Sequence, residues 1–177
     1  MTHRKPIYVL DATAIIILAK VGKLHLVSDV SEAYITEEVR SETVERGSHS
    51  DSLVIRDQVD SGGLRVYDIR DRARVDILLR HAEIHRGEAE TLAAARELDG
   101  TAVVDEKEAR MIARIYGIRT APGTLFLLFQ LLSLGKMNVD EADETLSSLV
   151  AAGLYLDPKT LLRAQEKLNE HRTDKRR

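Results

Sequence analysis

Short β-like runs alternate along the chain with stretches of helical spacing, and this alternation limits the fold more than any other feature. Ile7 to Leu10 precedes a helix-like segment reaching Lys20, and Ala33-Tyr34-Ile35 precedes a helix opening near Thr36. "TAVVD" at 101–105 reads as a buried strand before the helical "EKEARMIARIYG", and "IRTA" at 118–121 as a last short strand before Pro122 and Gly123 start another helix. Leu64 to Ile69 is a further candidate strand, whose Arg65 and Asp68 assign it to an edge or an irregular connection. "GEAETLAAARELDG" favours helix through its Ala, Leu and Glu content and stops at Asp-Gly. Beyond Gly135, "VDEADETLSSLVAAG" and "PKTLLRAQEKLNE" form two amphipathic helices separated by "LYLD". The rhythm is βαβ. It predicts an α/β fold, a three-layer α/β/α sandwich around a central, mostly parallel twisted sheet.

A chain of 177 residues, 44% hydrophobic, is long enough for one domain with a core of its own, here 1–160, followed by a helix end and basic tail over 161–177. No cysteine occurs, which excludes disulfides, thiolate metal sites and cysteine nucleophiles, so a metal would need oxygen or histidine ligands. The longest apolar run, Leu125 to Leu132, is far short of the roughly 20 residues of a membrane span, and it reads as core or as a dimer face. The N-terminus lacks signal-peptide features, so a cytoplasmic protein is expected. The net charge of −3 does not advertise nucleic-acid binding, yet Arg70, Arg72, Arg74, Arg80 and Arg86 cluster and the chain ends Lys175-Arg176-Arg177. These residues read either as a solvated face and tail or as phosphate contacts near a cleft.

In parallel α/β sheets, ligands bind outside the carboxyl ends of the strands. Asp11 ends the first strand and Asp105 ends "TAVV", so two strand ends each present a carboxylate. Glu42, three residues after Val39, lies beside the apolar stripe of its helix. Glu88 shares a helix face with Leu92 and Ala95, whereas Glu90 faces Ala94 and Glu97, which favours Glu88 as the inward acid. Each acid also has a structural explanation. Asp105 and Glu108 match a capping box, Asp11 fits a turn, and Glu42 fits an exposed helix position. Among 29 acidic residues chance matches occur, and the signal is the placement of four acids at corresponding strand ends and helix starts.

Four clustered carboxylates would repel by roughly 4 kcal/mol per pair at 4 Å and an effective dielectric near 20. A hard divalent cation, Mg²⁺ or Mn²⁺, suits an oxygen-rich site without cysteine and directs the reading to phosphodiester hydrolysis.

"VLDATAII", "TEEVRSE", "RGEAETLAAA" and "AVVDEKEARMIARIYGI…APGTLFLL" together resemble the PIN domain, specifically its DUF3368-type branch related to VapC toxins, over about residues 6–160. The resemblance implies a Mg²⁺- or Mn²⁺-dependent endoribonuclease with an acidic quartet. On this chain the quartet is Asp11, Glu42, Glu88 and Asp105, with Asp11, Glu88 and Asp105 on the metal and Thr13 as hydroxyl partner to an acid or to water on the metal. The Gly123-Thr124 pair also matches the branch and puts Thr124 near the cleft. Glu90 is the alternative third acid, and Glu106 could replace or assist Asp105. RNA is the implied substrate; a small antitoxin protein and a homodimer are partners known for such relatives.

Other classes fit less well. A haloacid-dehalogenase phosphatase would carry an aspartate where Thr13 stands, and a receiver would need adjacent acids ahead of its phosphorylated aspartate. A catalytically inactive RNA- or protein-binding module of the same fold is the alternative from a different class. His81 and His85 are spaced i, i+4 without an HExxH motif and read as a surface pair. Aromatic residues make up 4% of the chain, so extensive base stacking is not expected.

Overall fold

Strand β1 (Ile7–Leu10) decides the layering, because alternate side chains leave a strand on opposite faces. Tyr8 and Leu10 enter one hydrophobic core and Val9 enters the other. In the computed structural model, which describes residues 4–47 and 49–174, four more strands flank it. They are β2 (Glu32–Thr36), β3 (Arg65–Tyr67), β4 (Thr101–Val104) and β5 (Thr120–Pro122). All neighbours pair in parallel, in the order β3-β2-β1-β4-β5. Consecutive parallel strands need crossovers, and helices supply them.

The helices are α1 (Ala12–Lys20), α2 (Val27–Val30), α3 (Glu37–Arg40), α4 (His49–Asp60), α5 (Arg72–Leu78), α6 (Arg86–Glu97), α7 (Lys107–Ile115), α8 (Gly123–Ser133), α9 (Val139–Ala151) and α10 (Pro158–Asp174). Tyr8, Leu10, Ile35 and Val103 pack with α1, α8, α9 and α10, and Ala164 and Leu168 bring α10 into that core. Val9, Ala102 and Val104 pack with α5, α6 and α7. The result is the expected three-layer sandwich. Each fully buried Leu or Ile, such as Leu10, Ile15 or Leu92, contributes about 1.5–3 kcal/mol by leaving water.

Several expectations shift in detail. The last strand begins at Thr120 and ends on Pro122, a residue a sheet tolerates at its edge because it has no N–H to donate. β3 is shorter than 64–69 and takes the other edge. Leu127, Leu128, Leu131 and Leu132 are buried, so the run 125–132 contributes to the core. Lys175 to Arg177 lie outside the described residues.

Candidate active site

β1 and β4 are neighbours at the centre of the sheet, where the strand order changes direction. Leu10 sits opposite Val103, and the N–H of Asp11 donates to the carbonyl of Val103 at 3.2 Å. The chain therefore turns out of both strands side by side. Asp11 follows β1 directly and begins α1, yet its side chain makes no capping hydrogen bond at N2 or N3. Its carboxylate is turned instead into a cavity of about 460 Å³ that Thr13, Glu42, His85, Gly87 and Glu88 also line.

Glu42 arrives from β2. Thr36 caps α3 through its hydroxyl, which accepts from the N–H of Val39, and the chain then widens into a π-helical turn over Ser41–Glu45. Such turns break ordinary helical facing and frequently occur at functional sites. Glu42 lies in this turn, and Gly87 gives it room: a Cβ at Gly87 would come within 3.0 Å of Glu42 Oε2. Glu88 stands one residue further along α6, with Oε2 accepting from the N–H of His85 at 2.8 Å. That bond caps the helix and fixes the carboxylate.

Glu90 has a different role. It is 3% exposed, and Arg72 and Arg86 each approach Oε1 at 3.3 Å. The pair of guanidiniums neutralises it and ties α5 to α6. Arg86 also faces Glu38, Arg72 bonds Asp68, and Arg74 bonds Asp71. Three of the five clustered arginines are thus engaged by acids, which argues against the whole cluster serving as a phosphate surface.

Asp105 does not cap α7. That helix starts one residue later than the capping-box spacing expects, with Glu106 at its N-cap. Asp105 accepts instead from the N–H of Thr124 at 3.0 Å and from its hydroxyl at 2.8 Å. Gly123 has φ +50°, and any Cβ there would overlap the Asp105 carboxylate, so glycine is required twice over. Arg110 completes the clasp by donating to the carbonyls of Val104 and Asp105 at 2.9 and 2.6 Å. Asp105 lines an adjoining groove that shares Thr13, Glu106 and Glu108 with the first cavity.

Electrostatics tie the four acids together. Burial, followed by the charges of Glu88, Glu42 and Asp105, pushes the Asp11 carboxyl up to about 7, although the Ala12 N–H works against this. Burial also raises Glu42, aided by Glu38 and Glu88 and opposed by Arg46 and His85. It raises Glu88 against the His85 backbone bond and charge, with Glu106 and Glu108 adding repulsion. Asp105 is raised by burial against its Thr124 bonds and Arg110. Every member of the cluster resists ionisation in the absence of a counter-ion.

Among the described residues, no three acids or histidines stand close enough together to ligate one ion as they are placed. The donor set nonetheless fits a hard divalent cation. It is rich in carboxylate oxygen, contains no thiolate, and carries charge that Glu90-type arginine pairing does not relieve.

Sequence reasoning missed further residues of this cleft's wall. His85 and Gly87 pack beside the acids, and Glu83 and Glu108 add to its negative lining. His81 and His85 are not a helical pair, because α5 ends at Leu78 and His85 caps α6. His81 instead bonds the Tyr116 hydroxyl at 2.9 Å. The signal for His85 was its place just ahead of "RGEAE", the N-cap position of a helix start. The Thr13 hydroxyl makes no hydrogen bond to an acid among the described residues, while Thr13 itself lines both cavities.

Residues 7–170 match the family model DUF3368, described as a PIN domain. No curated protein matches the chain significantly. No described helix is long and apolar enough to cross a membrane.

Proposed function

The chain belongs to the DUF3368 PIN-domain family, whose wider PIN group consists generally of nucleases, and from that membership we propose that it is a divalent-metal-dependent endoribonuclease. The observation that carries this reading is geometric: Asp11, buried at the switch point of a parallel sheet, shares one cavity with Glu42 and Glu88, and Asp105 lines the groove that adjoins it. A structural role for these acids would be expected to pair them, as Glu90 is paired with Arg72 and Arg86.

Asp11, Glu88 and Asp105 would hold Mg²⁺ or Mn²⁺, with Glu42 completing the acidic cluster. Such a cation supplies charge neutralisation at phosphoryl oxygens and lowers the pKa of water. The chain's own contribution is preorganisation. Thr124 and Arg110 fix Asp105, the His85 N–H fixes Glu88, and Gly87 lets α6 approach Glu42. His85 is the one basic side chain lining the cavity among the described residues, so its imidazole is the group there that could hydrogen-bond a phosphate oxygen.

The reading is tested by incubating the purified protein with a mixed pool of structured and single-stranded RNA in Mg²⁺, Mn²⁺ or EDTA. Cutting in either metal and none in EDTA is expected. RNA left intact under all three conditions, with no metal binding by calorimetry, would leave the binding-module reading instead.

A further inference from the structure

The groove beyond Asp105 leads away from the acids to a tyrosine that no other element uses. Tyr8 packs edge-on against Phe126, Tyr34 against Tyr67, and Tyr116 against His81. Tyr155 is 87% exposed, and among the described residues its ring has no aromatic partner and its hydroxyl no hydrogen bond. It is not on a loose loop. Leu154 is buried in the core, its N–H donates to the carbonyl of Leu149 at 2.9 Å, and Leu156 packs against the same core. Asp157 closes the segment by capping α10, accepting from the N–H and hydroxyl of Thr160 at 3.0 and 2.6 Å. Anchored leucines on both sides hold Tyr155 outward over the groove.

The groove's other wall is α7. Lys107 and Arg110 line it together with Tyr155, and both continue into a third cavity lined by Met111 and Arg114. Arg110 is committed to the strand-end carbonyls. Lys107 and Arg114 are exposed and, among the described residues, form no ion pair, unlike Arg72, Arg74 and Arg86. A path therefore runs from the acids through Thr13, past an unpartnered aromatic face, to two unneutralised cations.

We propose that this groove holds the single strand flanking the scissile phosphate, with one base stacked on Tyr155 and successive phosphates held by Lys107 and Arg114. The proposal rests on the nuclease reading for the position of the scissile phosphate. The physical reason for a single strand is that a tyrosine ring stacks only on a base splayed out of its helix. The cations supply sequence-independent attachment, which counterion release makes salt-dependent.

The test is binding of a short labelled oligouridine in EDTA, so that nothing is cut, by the wild type, Tyr155→Ala, Tyr155→Trp and Lys107→Gln/Arg114→Gln. Losing one stacked base weakens binding roughly five- to 150-fold, so Tyr155→Ala should fall in that range with an unchanged melting temperature. Tyr155→Trp should bind like wild type, and because the chain has no tryptophan, its emission reports the contact by quenching with the single strand but not with a duplex. The double variant should lower the salt slope by about one to two. Unaltered affinity in Tyr155→Ala, or emission that ignores the single strand, overturns the proposal. The two readings fail separately: RNA cut in Mn²⁺ with equal KM for wild type and Tyr155→Ala sinks the groove alone, whereas tyrosine-dependent binding without any cutting sinks the nuclease alone.

Discussion

Thr124 grips Asp105 with two donors, its backbone N–H at 3.0 Å and its hydroxyl at 2.8 Å, so the first turn of α8 fixes the acid that ends β4. Thr124→Val keeps the backbone bond and removes the other, which costs about 1.5–3 kcal/mol for a bond to a charged group. RNA cleavage should fall while the far-UV spectrum stays native, and Thr124→Ser should restore it. Single-turnover rates of the three proteins check this.

Gly123→Ala is the harsher variant. It puts a methyl group into the Asp105 carboxylate and strains a positive φ, so the acid must move. A displacement of about 1 Å can lower a rate roughly hundredfold. Activity should drop by that order, more than thermal unfolding of the variant would explain. Full activity in a folded Gly123→Ala would show that the position of Asp105 is immaterial.

Glu88→Gln and Glu90→Gln test the proposed chemistry against the architecture. Glu88→Gln should abolish cleavage and leave the fold intact, because the amide can still accept from the His85 N–H. Glu90→Gln leaves Arg72 and Arg86 without their buried counter-charge and should lower stability by about 1–3 kcal/mol, the rim arginines being half open to water. Its folded fraction should still cut. Urea unfolding and cleavage measured on the same samples distinguish the two.

The pH dependence has a definite sign. Asp11 ordinarily titrates near 3.8 and is pushed to about 7 in the fold, so between these values the folded chain binds more protons than the unfolded one. Metal-free stability should therefore fall as pH rises from about 4 to about 7 and level off above. A shift of this size corresponds to a few kcal/mol, and Glu42, Glu88 and Asp105 add in the same direction. Asp11→Asn should flatten the dependence and raise the melting temperature in EDTA by several degrees. Thermal melts across this range check it, and a wild type that gains stability with pH would show that burial does not raise Asp11.

The positions of Asp11 and Asp105 were legible because an apolar run that ends in an acid marks a strand end by period alone. Strand β1 over 7–10 and β4 over 101–104 follow from that pattern. Glu42 was harder to place, since a π-helical turn changes which way a residue faces and leaves no mark on the hydrophobic spacing. Helices α4 and α5 were not legible. Their polar sequences bury little, with Ile55, Val75 and Leu78 as anchors, so tertiary packing rather than local pattern holds them. The Thr124 clasp joins residues nineteen positions apart, and only the sheet order brings them together.

On the proposed nuclease reading, the four acids hold a divalent cation against an RNA phosphodiester. The most direct measurement pairs calorimetric Mn²⁺ binding with cleavage of the RNA pool for wild type and Asp11→Asn, a change that keeps the side chain's shape and removes its charge. Wild type should bind Mn²⁺ with release of protons and cut RNA, and Asp11→Asn should lose both while melting no lower than wild type. Metal binding and cleavage that survive in Asp11→Asn would show that the acids do not hold the catalytic cation.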